Sequence, residues 1–453
     1  MARLVYSESS KRISWETESG VATLSYTGTV SKKPDLKQIE FQTILGILRV
    51  ERNKHHEEFL ACVTKSTLVG MYDAVEVYKI DKIRFLNIKG PGRADEVMSQ
   101  VKGFVQSHDF YYFFGSLFIE DEFVWNKHMK ANLLKYFGPS SYMWVLSHRP
   151  GREPLNLNIS TLFCGFFAAE AFKASGDFYH MKLLSLISSN RVGTRYLCRG
   201  VDSEGNASLF VKTHFQTKRN NNTIFDFTTI RGSVPIFWSQ TEHGISTKIN
   251  IYGDDESVRE AFTKHFKKLR REYGKVHVIN LLGEKKYEKQ LTLHFNRLLN
   301  LENIPYTTFD LDAHVKNYDD LKFLLYFKLQ GIEEEGVTFR VNCLDCLDRT
   351  NVAQSLICMF YLEKAVSNGD VLKKMQECWA NNGNSLSNLY TGSDAMKKEL
   401  ALKGRRSFIG YMDDFVISAT RLINGRFTDK QKHSIINTLL EKKEDVEEVR
   451  ASY

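Results

Sequence analysis

The chain has 453 residues, with 62 Lys and Arg against 54 Asp and Glu, a net charge of +8. At roughly 150 residues per domain this length allows two or three domains, and 42% hydrophobic with 26% charged residues is ordinary globular usage. Only seven prolines exclude long Pro-rich linkers, and the charge excess favours an anionic partner without reaching the density of a nucleic-acid-binding tail.

In chain order, the runs 21–26, 42–50, 58–64, 67–72 and 76–80 are β-branched or apolar segments separated by polar turns, which predicts a meander of antiparallel strands. Residues 109–119 predict another strand pair, and 123–137 change to helical spacing. The segment 147–154, SHRPGREP, holds two of the seven prolines and is the expected boundary between an N-terminal β-rich module (1–150) and an α/β module (151–453). The asparagine run 220–222 is an expected loop tip. Beyond it, helices at 257–273, 287–299 and 318–329 alternate with strands at 275–280 and 336–342, and a helix starts near Thr350, with Asn368 and Gly369 as its expected stop.

No apolar run approaches the roughly 18 residues of a membrane span. The stretch 162–172 is broken by Glu170, and 323–327 is short. The first ten residues lack a signal-type apolar core, and the last four are neither a prenylation nor a retention signal. Seven cysteines, an odd and sparse set, fit a reducing compartment. The expected location is cytoplasmic, with no transmembrane segment in this chain.

The chemistry concentrates in 336–351, GVTFRVNCLDCLDRTN. A β-type run enters a short loop and a helix leaves it, the architecture of an anion cradle. Cys343 is followed six residues later by Arg349 and then Thr350, a CX5R(T/S) spacing whose intervening amides can wrap a phosphate. A thiolate at Cys343 is a strong nucleophile if the helix N-terminus and Arg349 lower its pKa. Arg349 offers a planar fork for two phosphoryl oxygens, and Thr350 can donate to the sulfur as it leaves. Such a reaction runs through a phosphocysteine intermediate.

Other readings of the same residues stay open. Cys343 and Cys346 form a CxxC pair, but a zinc site usually needs a second pair and none occurs. A thioredoxin-type pair usually has small or Pro residues between its cysteines, where Leu344 and Asp345 stand here. A buried structural cysteine beside a helix cap is a third reading. Asp345 and Asp348 work against a bound dianion, so they serve either as first-turn helix caps or as acid and base toward the leaving oxygen and water, with Asp345 favoured for the chemistry.

Residues 340–351 match RxNCxDCLDRTN, the signature of the Sac-domain phosphoinositide phosphatases, and the chain resembles that family over most of its length. The segments 191–200 (RVGTRYLCRG), 231–238 (RGSVPIFW), 69–80 (VGMYDAVEVYKI) and 123–126 (FVWN) are similar to family elements. The resemblance implies a β-rich module followed by an α/β catalytic module, and hydrolysis of phosphate monoesters of inositol lipids. Phosphatidylinositol 4-phosphate is the first expected substrate, with the 3-phosphate and 3,5-bisphosphate as further ones. It implies Cys343 as nucleophile and Arg349 as clamp, with Asp345, Asp348 and Thr350 completing the catalytic set. Asn342, Leu344, Cys346, Leu347, Lys285, Lys286 and Arg231 are the corresponding candidates for substrate binding, and no metal or other cofactor is implied. The chain departs from the family where Lys212 and His214 replace acids, where Thr229 replaces a glutamine, and where Leu311 and Asp312 follow the DF dipeptide.

Two basic stretches, one with Lys264, Lys267, Lys268, Arg270 and Arg271 and one with Lys397, Lys398, Lys403, Arg405 and Arg406, are either solvated faces or contacts to an anionic leaflet. Lys397, Lys398, Arg405 and Arg406 are the expected membrane-docking residues of a protein peripheral on organelle membranes. A protein tyrosine phosphatase is disfavoured, because Asn342 precedes the cysteine where that class has His, and Cys346 stands where it has Gly. The other alternative is a catalytically weak phosphoinositide-binding or scaffold module.

Overall fold

A computed structural model describes residues 2–7, 12–17, 20–25, 36–52, 55–115, 119–137, 159–194, 196–243, 246–283, 286–314, 318–332, 336–393, 395 and 429–442. The chain divides into two compact units, one of Met1–Cys164 with Ser434–Glu444, the other of Gly165–His433 with Asp445–Tyr453. The expected boundary at 147–154 lies outside the described residues.

In the first unit, strands β1 (Ala2–Ser7), β2 (Arg12–Thr17), β3 (Gly20–Ser25) and β4 (Leu36–Phe41) form an antiparallel sheet in the order β3-β2-β1-β4. A meander follows, made of β5 (Thr43–Arg52), β6 (His55–Tyr72), β7 (Val75–Lys89), β8 (Phe110–Phe113) and the first residues of β9 (Thr161–Ala174). The two strands expected at 58–64 and 67–72 are one. Lys65 and Ser66 do not turn the chain; they shift the register against β7 as a bulge, which bends a long strand without ending its ladder. The strand pair expected at 109–119 is the single strand β8 among the described residues. Helix α1 (Asp95–Ser107), which the sequence reading missed, buries Met98, Val101, Phe104 and Val105 on one face. Helix α2 (Lys127–Phe137) follows a 3-10 turn at Asp121–Phe123, and Phe110 meets Trp125 edge-on at 5.3 Å in the core.

The second unit continues with β9, β10 (Asp177–Ile187), β11 (Val211–Arg219) and β12 (Asn222–Arg231), all antiparallel. Asn220 and Asn221 turn β11 into β12 with φ of 49° and 68°, a left-handed pair that asparagine tolerates. A hairpin, β13 (Trp238–His243) and β14 (Ser246–Ile251), leads into α3 (Asp255–Tyr273). Next come β15 (Val276–Asn280), α4 (Lys286–Leu301), β16 (Tyr306–Thr308), α5 (Leu311–His314), α6 (Tyr318–Gln330) and β17 (Thr338–Asn342). Helices α7 (Asp348–Ala365), α8 (Gly369–Thr391) and α9 (Asp429–Leu439) complete the described residues.

The sheet of this unit runs β16-β15-β17-β12-β11-β10-β9. Its β16, β15, β17 and β12 are parallel and the rest antiparallel, so the fold is mixed α/β. Within α3, Lys264 pairs with Glu260 at 3.2 Å and Arg271 with Glu272 at 3.0 Å.

Asn368 and Gly369 do not stop α7. That helix ends at Ala365, and the Asn368 side chain instead accepts the Asp370 and Val371 N–H groups as the N-cap of α8. Nor is α7 amphipathic: Thr350 through Phe360 are all buried, so β17 and α7 run through the middle of the core. Among the described residues no helix is long and apolar enough to cross a membrane.

Candidate active site

Parallel strands open their crevice at their carboxyl ends, and three of them end together here. β17 is flanked by β12, where Arg231 lies level with Val341, and by β15, where Asn280 lies level with Asn342. The loop 343–347 leaves β17 between these two neighbours. On one side the Cys346 thiol donates to the Gly232 carbonyl at 3.0 Å. On the other, the Leu281 N–H donates to the Asn342 carbonyl at 2.8 Å.

Beneath the loop lies a polar floor. Arg340 is fully buried in β17, donating to Asn342 Oδ1 at 3.1 Å, the Ser233 carbonyl at 2.5 Å and His265 Nε2 at 3.4 Å. Burial pulls its pKa down to about 10, so it stays charged at neutral pH. His265 contacts the Gly205 carbonyl through Nδ1 at 2.9 Å, so the proton belongs on Nδ1 and Nε2 accepts from Arg340. Burial and the adjacent Arg340 charge hold its pKa well below the usual range, which keeps the ring neutral. Asn342 Nδ2 in turn donates to Asn280 Oδ1 at 2.9 Å.

Cys343 is 2% exposed, and its sulfur accepts two hydrogen bonds, from the Cys346 N–H at 3.1 Å and from Thr350 Oγ1 at 3.3 Å. The first requires Cys346 to adopt φ +52°, a left-handed conformation uncommon for a residue with a side chain. The two thiols face opposite partners. Cys346 Sγ lies against two carbonyl oxygens, of Gly232 and of Cys343, where only a protonated thiol is stable. Burial and the nearby Cys343 raise the pKa of Cys346 well above the ordinary thiol value. Burial pushes Cys343 the same way, but the Cys346 hydrogen bond, the Arg349 charge and the Thr350 hydroxyl outweigh it and set it below the ordinary value. The anion therefore belongs on Cys343. A lowered pKa means that thiolate persists as pH falls. Iodoacetamide should thus alkylate Cys343 with an apparent pKa below the ~8.5 of a free cysteine, while Cys346 stays unlabelled. Mass-spectrometric mapping of labelling rate against pH checks both; preferential labelling of Cys346 would reverse the assignment.

Arg349, in the first turn of α7, points back over the loop. It donates through Nη1 to the Leu281 carbonyl at 3.3 Å and meets Glu288 in a two-pronged contact, Nη2 to Oε1 at 2.9 Å and Nη1 to Oε2 at 3.2 Å. Asp312 Oδ2 stands 3.5 Å from Nη1. Burial disfavours the charge, but the Cys343 sulfur and Glu288 more than offset that, and the pKa is raised.

Asp345 extends to the opening, 31% exposed, and accepts from Arg199 Nη2 at 2.5 Å. Arg199, buried and stacked on the Trp238 ring at 5.2 Å, also holds the Leu344 carbonyl at 3.0 Å and Gln240 Oε1 at 2.5 Å. Asp348 occupies the first turn of α7. Of the other expected residues, Asn342, Leu344, Cys346 and Leu347 are buried in the loop and its floor. Arg231 is 1% exposed and donates to Asn351 Oδ1 at 2.9 Å, with Cys346 and Cys343 close enough for their charges to act on it. Lys285, Lys397, Lys398, Lys403, Arg405 and Arg406 lie outside the described residues, as does the side chain of Lys286. Arg199, Glu288 and Asp312 were not singled out as site residues from sequence. The signal for Arg199 was its place in the family-like segment 191–200.

A buried cysteine at a strand end, with a helix-borne arginine six residues on, gives a strand–loop–helix arrangement in a mixed α/β domain. The chain belongs to the SacI homology domain family, which matches residues 42–316. It is 34% identical over 351 residues to inositol-1,4,5-trisphosphate 5-phosphatase 1 of Schizosaccharomyces pombe, covering 70% of this chain and 32% of that protein. To human phosphatidylinositide phosphatase SAC2 it is 30% identical over 366 residues, 71% of this chain and 32% of that protein. To human synaptojanin-1 it is 28% identical over 452 residues, 89% of this chain and 27% of that protein. The chain thus spans about a third or less of the length of these curated relatives.

Proposed function

We propose that the chain is a cysteine-dependent phosphoinositide phosphatase. The observation that carries this reading is the Cys343 sulfur, which accepts an amide N–H and a hydroxyl next to the Arg349 guanidinium. The Cys343 thiolate attacks phosphorus, an S–P bond forms, and the P–O bond to the inositol oxygen breaks as that oxygen takes a proton from an acid. Water then displaces the sulfur, losing its proton to the same carboxylate, and phosphate leaves. Asp345 is that acid and base: its carboxyl is partly exposed and aimed by Arg199, and the bound dianion offsets the Arg199 charge that otherwise keeps it ionised. Thr350 steadies the departing sulfur through the hydrogen bond it already makes.

The names of the relatives favour an inositol phosphate ester as substrate. Phosphatidylinositol 4-phosphate is the first candidate, then the 3-phosphate and the 3,5-bisphosphate. Phosphate release from a panel of short-chain phosphoinositides and a phosphotyrosine peptide tests the class. Release from the peptide alone would refute it, and binding of phosphoinositides without release would support the scaffold reading. Asp345→Asn should flatten one limb of the pH–rate profile and cost about 100-fold in kcat, while Asp348→Asn leaves that limb in place. An unchanged profile for Asp345→Asn removes it from the chemistry.

The headgroup lies at a bilayer surface, so Lys397, Lys398, Arg405 and Arg406 are assigned to the anionic leaflet. Each basic residue near such a surface contributes on the order of 1 kcal/mol. Charge reversal at these four should lower hydrolysis on liposomes at least about tenfold more than on a soluble short-chain lipid. Equal losses on both would refute docking.

A further inference from the structure

Resting on the phosphatase reading, we infer that Glu288 is a positioning residue that divides the donors of Arg349, so that one face of the guanidinium is reserved for the phosphoryl group. A guanidinium has five N–H donors: two on each Nη and one on Nε. In this site both hydrogens of Nη1 are spoken for, by the Leu281 carbonyl and Glu288 Oε2, and one hydrogen of Nη2 goes to Glu288 Oε1. Among the described residues the fork formed by Nε and the remaining Nη2 hydrogen is left over. That fork has the spacing that grips two oxygens of a phosphoryl group in parallel.

Glu288 is itself fixed. Its side chain is 1% exposed, it lies in the first turn of α4, and the Gly283 N–H donates to Oε2 at 2.7 Å. Gly283 and Leu281 both follow β15, so the end of one strand sets the carboxylate while the end of β17 sets the sulfur. A buried carboxylate beside a dianion site is costly unless it serves an arrangement of this kind. Here it orients the positive group that meets the anion without touching the anion itself. Asp312, nearer solvent and 3.5 Å from Nη1, belongs to the rim and does not share this task.

The test compares wild type, Glu288→Gln, Arg349→Lys and the double variant as whole chains. Two readouts are used: hydrolysis of short-chain phosphatidylinositol 4-phosphate, and binding of tungstate, a tetrahedral oxyanion, by titration calorimetry. Glu288→Gln should lower kcat/KM by about 100-fold, mostly in kcat, and weaken tungstate by about tenfold, because the fork is no longer aimed. In the Arg349→Lys background it should add less than about twofold to either loss, since a lysine has no fork to aim. A role confined to stability would instead add its loss in both backgrounds. If Glu288→Gln melts below the assay temperature, Glu288→Asp takes its place, with losses in the same direction. Tungstate affinity and kcat/KM both within twofold of wild type, or an undiminished loss in the Arg349→Lys background, would overturn the inference. Tungstate binding that depends on Glu288 in a chain hydrolysing no phosphoinositide would uphold it and sink the phosphatase reading. No hydrolysis and no tungstate binding in wild type would overturn both.

Discussion

Cys343→Ser should abolish phosphoinositide hydrolysis, by at least about a thousandfold in kcat, equivalent to about 4 kcal/mol of transition-state stabilisation, while leaving tungstate binding within a few fold. The split follows from what the loop supplies to each. Oxyanion binding draws on Arg349 and the loop amides, which the substitution leaves in place. Bond making needs a sulfur that is already an anion, and the site creates one by giving Cys343 two donors and a neighbouring guanidinium. A serine hydroxyl, with a far higher pKa, stays protonated under the same influences and is a poor leaving group in the second step. Phosphate release by Cys343→Ser at more than a tenth of the wild-type rate would show that the sulfur is not the nucleophile.

Arg340→Met should lower stability by about 4 kcal/mol and take activity with it. Its shape is roughly kept, so the cost is electrostatic. Removing the guanidinium leaves Asn342 Oδ1, the Ser233 carbonyl and the neutral His265 Nε2 buried without a donor, each worth about 1–3 kcal/mol before relaxation. The damage falls on the residue immediately before the nucleophile, because Arg340 and Asn280 together hold Asn342. Urea denaturation followed by tryptophan fluorescence measures it. Stability within 1 kcal/mol of wild type would mean that water replaces the lost donors and that the polar floor is not what fixes the loop.

The strand, loop and helix at 336–351 were legible because the signal is local: a β-branched run, a nucleophile, and an apolar helix within sixteen residues. The contact of Thr350 with the sulfur lies within one turn of that helix. Longer reach defeated the reading. Arg349 and Glu288 are separated by 61 positions, and Arg199 and Asp345 by 146. Arg231 reads as a substrate ligand because an arginine in a phosphatase segment suggests phosphate, but its contact with Asn351, 120 positions away, was not legible. Nothing in a composition or a spacing distinguishes an arginine that meets the ligand from one that braces the floor. Asn368 failed differently. Asparagine followed by glycine suits both ends of a helix, and only the course of the next twenty residues decides which.

Around Arg349 solvent access rises in a short radius, from Glu288 at 1% to Asp312 at 29%. Change is therefore tolerated unevenly. A substitution at Glu288 disturbs the held guanidinium itself, whereas one at Asp312 acts on a carboxylate nearer solvent. On the proposed phosphatase reading, changes of substrate preference should accumulate in that outer circle, which can vary without disturbing how Cys343 and Arg349 are held.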